Sequence, residues 1–193
     1  MDESQLLEKM YFYELERKQQ LEKSTSLPTG VIVACFGLLG YFFTNYRFGG
    51  AQYYLAPVVE SAFSIFSFIS LLLLCTTTYW CSRTIAGSAY EYLPGAETLR
   101  AYRQDLVNWH KQYRTRTPLK AAATEFQDYL TASLARCSQQ NWQTNLVRSE
   151  ELFRTKRFTV ISIVGLAATA STFYIDFWFE APKLPLHLRD IFR

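Results

Sequence analysis

The stretch RFTVISIVGLAATASTFYIDFWF (157–179) is the most informative part of this chain. It is apolar and long enough to cross a lipid bilayer, which takes about 20 mostly apolar residues in a helix. Small and polar residues recur within it at steps of three and four, so that they share one helical face ending in a carboxylate. The members of this polar stripe are Ser162, Gly165, Thr169, Thr172 and Asp176.

A polar stripe is costly in hydrocarbon, so it indicates either a water-filled path or a partner helix. The first interpretation predicts an oligomeric pore lined by the stripe. The second predicts a packing seam, since small and hydroxyl-bearing residues are common where membrane helices approach closely. The stripe alone does not decide between them.

Two further apolar blocks, 27–46 and 55–80, are long enough to cross a bilayer and are bounded by charged residues. The sequence therefore predicts an all-α membrane protein with three crossings. Sixteen Lys and Arg residues fall in 1–26 and 81–157, against four in the loop 47–54 and the tail after 179. Because basic segments stay in the cytoplasm, the N-terminus is predicted to be cytoplasmic and the C-terminus to lie outside.

The predicted division of the chain is a cytosolic amphipathic helix (1–26), a transmembrane hairpin (27–80), a basic helical cytosolic domain (81–156), a third crossing (157–179) and an outer tail (180–193). The N-terminal helix is predicted to end at Ser24–Pro28, because proline removes a backbone donor. The FGG at 48–50 predicts a tight turn between the first two crossings.

In the cytosolic domain, a helix is predicted from Ala96 to Tyr113. No glycine or proline occurs between Leu119 and Gly165, which predicts one helix running from this domain into the membrane. The segment QQNWQTN (139–145) makes the middle of that helix too polar for a lone core helix. It needs neighbours, and copies of itself around a symmetry axis are the simplest expectation.

The second crossing carries four serines at strict three-residue steps: Ser61, Ser64, Ser67 and Ser70. Such a row drifts by about 60° per step, so it is not one straight face, and close helix packing is the favoured interpretation. Glu60 is a stronger functional candidate, because ionisable residues within membranes usually serve a function. By the predicted topology it lies at the level of Asp176 and joins the predicted pore lining. The alternative is an interfacial residue exposed to lipid headgroups.

The helix 96–113 predicts a site for an anion. Its basic side chains, with those that follow it, are Arg100, Arg103, Lys111, Arg114, Arg116 and Lys120. Aromatic rings, among them Tyr102 and Trp109, occupy the neighbouring face. Guanidinium groups grip phosphate and rings stack on bases, so the combination favours a nucleotide or oligonucleotide. An anionic lipid surface and a plain solvated face are the alternatives.

The sequence predicts neither an enzyme nor a bound cofactor or metal. It has no glycine-rich phosphate loop and no metalloprotease or nucleophile motif. Cys75 and Cys81 match no zinc spacing, and no two cysteines fall outside the membrane where disulfides persist. The four cysteines are predicted to be small apolar fillers.

The charged N-terminal helix, transmembrane hairpin and basic helical segment together resemble small membrane effectors of bacterial antiphage systems. Residues 5–80 resemble the two-helix SLATT-type effectors, from which the third crossing departs. With that crossing the chain looks more like the membrane effector of the Hailong system, a ligand-gated channel. The resemblance implies an inner-membrane location, a partner nucleotidyltransferase-like enzyme that makes oligodeoxyadenylate, a nucleotide or short single-stranded DNA ligand, and membrane depolarisation as the output.

These observations together predict a homo-oligomeric inner-membrane channel, with a tetramer as the working size and the C-terminus in the periplasm. The third helix would line the path, and the cytosolic helices would gate it on binding an anionic nucleotide or oligonucleotide. The alternative is a non-conducting membrane anchor or assembly protein whose basic helix recruits a partner or anionic lipid.

Overall fold

A computed structural model describes residues 3–46, 48, 56–86, 88–113 and 116–180, with side chains to 178. The helices are α1 (Glu3–Asn45), α2 (Ala56–Ile85), α3 (Ala96–Gln112) and α4 (Pro118–Glu180). Within these residues the regular structure is entirely helical, and α1, α2 and α4 are long and apolar enough to cross a membrane. The predicted all-helical fold with three candidate spans is confirmed. Most of the predicted turn at 48–50 lies outside the described residues.

The predicted end of the N-terminal helix at Ser24–Pro28 is wrong, because α1 continues through Pro28 to Asn45. Proline removes one backbone hydrogen bond and would ordinarily cost about 3 kcal/mol inside a helix. Next to it, the Thr29 hydroxyl donates to the Thr25 carbonyl at 2.8 Å. Beyond the proline, Ile32, Cys35 and Leu39 are buried at steps of three and four. Packing of this face stabilises the helix on the far side of the proline, since tertiary burial outweighs local propensity.

The predicted continuous helix is confirmed, because α4 extends over 63 residues without interruption. It begins at Pro118, a position where the missing N–H of proline costs nothing. Helix α3 has the predicted start at Ala96 and ends at Gln112, one residue before the predicted end.

The chain forms two compact units. The first, here called the polar unit, combines Met1–Lys23 with Gly87–Ser149; the second, the apolar unit, combines Ser24–Ala86 with Glu150–Arg193. Helices α1 and α4 each contribute to both. The positions of the lipid boundaries and the orientation of the termini stay predictions.

The apolar unit is a bundle of three helical segments. Helices α1 and α2 are antiparallel, since the Thr29 hydroxyl lies 3.5 Å from the Cys81 sulfur near one end, and the ring of Tyr46 stacks on that of Phe63 at the other, 3.8 Å between centroids. Helix α4 completes the bundle, since the ring centroids of Phe173 and Phe42 are 5.1 Å apart. The core of this unit is therefore shared by all three segments.

Candidate functional site

Helices α2 and α4 meet along a ladder of paired hydroxyl groups, here called the hydroxyl seam. The pairs are Ser70–Thr169 at 3.1 Å, Thr77–Ser162 at 3.0 Å and Thr84–Thr155 at 3.5 Å. Each step of seven residues forward along α2 matches a step of seven residues back along α4. This is the repeat of antiparallel helices packed at a shallow angle, in which every second turn returns to the interface.

Gly165 lies within the hydroxyl seam and lets the two helices approach closely. A Cβ atom at this position would lie 3.1 Å from the Ser70 Oγ and 3.3 Å from a Leu73 methyl group. These distances are tighter than ordinary van der Waals contact, so a larger residue would push α2 away. Small residues have this role at many membrane-helix interfaces.

The predicted polar stripe therefore faces α2 within one copy of the chain. The exposed fractions of its side chains are 1% for Ser162, 0% for Thr169, 8% for Thr172 and 5% for Asp176. This is the packing arrangement that the sequence left open as the alternative to a water-filled path. The stripe can line water only if α2 and α4 separate. Its assignment to a pore stays a prediction that requires this separation.

One end of the hydroxyl seam holds two polar groups that are not paired across it. The Ser67 Oγ is fully buried and has no hydrogen-bond partner among the described atoms. The register of the ladder places Ser67 opposite Thr172, whose hydroxyl donates to the Thr169 carbonyl at 2.8 Å. It also places Asp176 opposite Phe63, about one turn from the half-buried Glu60. The register thus places the two carboxylates about one helical turn apart, and their shared place at a pore mouth stays a prediction.

A second face of α2 carries exposed polar side chains, and sequence reasoning did not single it out. This α2 polar row consists of Ser61, Ser64, Cys75, Thr78 and Ser82, all exposed and spaced to share one side of the helix. Phe68 and Leu71 interrupt the row at its middle, with exposed fractions of 61% and 38%. The four serines predicted not to share one face thus divide between the hydroxyl seam and this row.

The hydroxyls of the α2 polar row bond to their own helix. Ser61 donates to the Pro57 carbonyl at 2.8 Å, Ser64 to the Glu60 carbonyl at 2.9 Å, and Thr78 to the Leu74 carbonyl at 2.8 Å. Such bonds satisfy the donor and leave the oxygen able to accept another hydrogen bond. The row can therefore face either water or a neighbouring helix.

The polar unit is held together by buried amides. Residues 88–95 are non-helical. In this segment the Glu91 N–H donates to the Asn141 side-chain oxygen, and the Asn141 side-chain nitrogen donates to the Glu91 carbonyl, both at 2.9 Å. The Asn145 amide donates to the Glu14 carbonyl at 2.7 Å and to its carboxylate at 2.8 Å, and accepts from the Tyr90 hydroxyl at 2.6 Å. Both asparagines are fully buried.

This network gives the polar middle of α4 its neighbours. They come from α1 and from the 88–95 segment of the same chain, so Asn141 and Asn145 do not require copies of the helix as neighbours, and the predicted homo-oligomer stays a prediction. The signal was present in the sequence: Asn141 and Asn145 continue the spacing of Leu134 and Cys137 and therefore fall on the buried face. A buried amide requires fixed partners, and Tyr90 supplies one of them.

Two cations complete the network. Arg148 is 4% exposed, donates to the Tyr90 hydroxyl at 2.8 Å and lies 3.7 Å from Glu22. The Lys18 ammonium donates to the Tyr92 hydroxyl at 2.8 Å. This hydrogen bond is the main cause of a raised pKa for Lys18, which keeps the ammonium charged.

The four cysteines are free thiols. Cys35, Cys81 and Cys137 are buried, and burial raises the pKa of the Cys137 thiol, which disfavours the reactive thiolate. Cys75 is the exposed member and lies on the α2 polar row.

Helix α3 packs on α4 through a buried strip that lies between Lys111 and Trp109. Leu106, Val107 and His110 are buried, and His110 lies 3.0 Å from Glu125. On either side of this buried strip lie Lys111 and the half-exposed Trp109, which point about 200° apart because they are two residues apart.

The predicted ligand residues are therefore not all on one surface. Arg100, Arg103, Lys111, Arg116 and Lys120 are exposed, and Arg114 lies outside the described residues. Tyr102 packs towards α4, with its ring 4.6 Å from that of Tyr129. A basic face is present, but the rings meant to stack on bases do not stand beside it.

Among the described residues, no group of three or more His, Cys, Asp or Glu side chains could hold a metal ion. Comparisons with protein-family models, with curated proteins and with solved structures found no match to this chain.

Proposed function

We propose that the protein is an oligomeric membrane channel whose path is lined by the α2 polar row. The observation that carries this proposal is the exposed row of hydroxyl and thiol side chains on a helix apolar enough to cross a membrane. The polar stripe of α4 is already used in packing against α2, so a path lined by α2 needs no separation of the two helices.

The surface of the apolar unit leaves room for such an assembly. In the most apolar stretch of each helix, the buried share within one copy is only 28% for α1, 28% for α2 and 22% for α4. The remaining surface meets lipid or other copies of the chain. Copies arranged around an axis with their α2 polar rows inward would form a polar path.

Phe68 and Leu71 would form the gate of this path. They lie between Ser64 and Cys75 on the same side of α2 and are exposed. Rings of apolar side chains at the middle of a pore stop conduction by excluding water. A small rotation of α2 would then switch the path between a wet and a dry state.

In this proposal the polar unit lies in the cytoplasm and receives an anionic nucleotide or oligonucleotide on its basic face. The exposed cations Arg100, Arg103 and Lys111 would supply phosphate contacts. Such a ligand shifts the gate only by binding its two states with different affinity. Action as an antiphage effector with a nucleotidyltransferase-like partner is what the family resemblance implies, and it is part of the proposal.

A non-conducting membrane anchor is the second candidate, and a specific observation favours it. Each of the four hydroxyls of the α2 polar row donates to a carbonyl of its own helix, so the row needs no water. In that case the basic face would recruit a partner or anionic lipid.

Ion flux through liposomes containing the purified protein distinguishes these candidates. Replacing Phe68 and Leu71 by serine should wet the gate and raise flux at least about tenfold without any ligand. The matched control replaces Phe66 and Ile69, which are exposed on the other side of α2, by serine, and flux should stay at the wild-type level.

Equal flux from the two double variants would contradict the assignment of the path to the α2 polar row. No flux above protein-free liposomes from the Phe68→Ser, Leu71→Ser variant would support the anchor instead. Size-exclusion chromatography of each variant checks that assembly is unchanged.

A further inference from the structure

We infer that the apolar unit binds an anionic phospholipid at a site formed by Trp80 of α2 with Arg154 and Arg157 of α4. The lipid phosphate contacts the two guanidinium groups, and an acyl chain follows Ile161 and Val164 along the same side of α4. This site is separate from the basic face of α3, which belongs to the polar unit. The inference concerns lipid binding and stands whether or not the assembly conducts ions.

The contact between Trp80 and Arg154 forms the base of the site. The Arg154 guanidinium lies over the Trp80 ring, 4.7 Å from its centroid, so these sides of α2 and α4 face each other. Arg157 follows Arg154 after three residues, and the two guanidinium groups therefore leave α4 on the same side. A planar guanidinium can form two parallel hydrogen bonds to a phosphate. Two such groups one turn apart suit one phosphate headgroup.

The site lies where two predicted membrane spans end at the same level. Trp80 is the last residue of the apolar block 55–80, and Arg157 is the first of the apolar stretch 157–179. The register of the hydroxyl seam places Trp80 opposite Thr159, two residues from Arg157. Tryptophan and basic side chains gather at the headgroup level of membranes, where the ring meets lipid and the charge meets phosphate.

The positive charge at this end of the unit exceeds the negative charge. Glu150 pairs with Arg154, and Glu151 lies 3.1 Å from the Arg83 guanidinium. The Glu150–Arg154 pair is exposed and therefore weak, which leaves further N–H donors of Arg154 for a phosphate. Arg157 is exposed, and among the described residues no ion pair involves it. An anion would balance this charge.

Exposed apolar side chains continue from Arg157 along the span, which favours a lipid over a soluble anion. Ile161 and Val164 lie four and seven residues after Arg157 on the same side of α4, with exposed fractions of 39% and 65%. A free phosphate has no apolar surface to bury there. A phospholipid carries its acyl chains on the phosphate, so it matches both the charge and the apolar surface that follows it.

Lipid retention by the full-length protein in detergent tests this inference. Native mass spectrometry should show that the wild type retains phosphatidylglycerol and retains much less phosphatidylcholine, whose headgroup has no net charge. Arg157→Gln should weaken the binding of phosphatidylglycerol about fivefold or more, because it removes a charged contact to the phosphate. Circular dichroism checks that the variant is folded.

The matched control is Lys156→Gln. Lys156 is also exposed and has no ion pair among the described residues, but it points about 200° away from Arg154 around α4. Its variant should bind phosphatidylglycerol like the wild type. Equal weakening by the two substitutions would show diffuse attraction and overturn the site. Equal retention of the two lipids by the wild type, or displacement of phosphatidylglycerol by inorganic phosphate alone, would overturn the anionic phospholipid as the ligand.

Discussion

Replacing Asn145 by leucine is expected to reduce the stability of the polar unit by about 3–5 kcal/mol. Its amide makes three hydrogen bonds in a fully buried position, two to Glu14 and one to Tyr90. Leucine has a similar volume but leaves the Glu14 carbonyl and its buried carboxylate without this partner. Each orphaned group costs about 1–3 kcal/mol, and more when it is charged.

Thermal unfolding of the detergent-solubilised protein, followed by circular dichroism, measures this loss. The control is Asn108→Leu, at an exposed position whose amide only accepts a 3.4 Å hydrogen bond from Gln104. It should change stability by no more than about 0.5 kcal/mol. Equal effects of the two substitutions would contradict the buried network as the element that holds α1, α4 and the 88–95 segment together.

Replacing Gly165 by leucine is expected to destabilise the apolar unit by about 1–3 kcal/mol or more, because the side chain has no room against Ser70 and Leu73. Gly37 provides a control with the opposite sign. It lies in α1, and nothing within 4 Å meets a Cβ placed there. Leucine at Gly37 should stabilise the helix by about 0.5–1 kcal/mol, since glycine is a poor helix former.

The midpoints of thermal unfolding of the two variants should therefore move in opposite directions from that of the wild type. If Gly165→Leu unfolds at the same temperature as the wild type, α2 and α4 do not pack closely at this glycine. The hydroxyl seam would then lose its main support, and an open polar stripe on α4 would regain its place as a candidate path.

The helices could be predicted from the sequence because hydrophobic length, charged flanks and the absence of proline and glycine are local signals. The exception, at Pro28, shows their limit. A single missing hydrogen bond was predicted to end α1, but the packing of Ile32, Cys35 and Leu39 on its buried face continues the helix. Tertiary packing of that kind has no local signature.

The partner of the polar stripe could not be predicted for a related reason. Helical spacing shows that Ser162 and Thr169 share a face, but it does not show which helix meets that face. The pairing with Thr77 and Ser70 depends on the antiparallel register of α2 and α4, which follows from the whole bundle. The same limit applies to Asn145, whose partners Glu14 and Tyr90 are far away in the chain.

The arrangement of the basic helix was partly accessible to sequence reasoning. Arg103 and Lys111 were correctly predicted to lie on a helix, and they are exposed. The separation of Lys111 from Trp109 follows from the helical repeat once the buried strip at Leu106 and His110 is known. The sequence did not show that this buried strip packs on α4, with Lys111 on one side of the strip and Trp109 on the other.

Modification of Cys75 tests most directly whether the α2 polar row lines a water-filled path. It is the exposed native cysteine, while Cys35, Cys81 and Cys137 are buried. In liposomes containing the Phe68→Ser, Leu71→Ser variant, a charged thiol reagent present on both sides of the membrane should modify Cys75 and reduce ion flux. If Cys75 reacts only with a lipid-soluble reagent, the row faces lipid. If the charged reagent modifies Cys75 without any change in flux, the row meets water outside the conducting path. Either result would show that the proposed path is wrong.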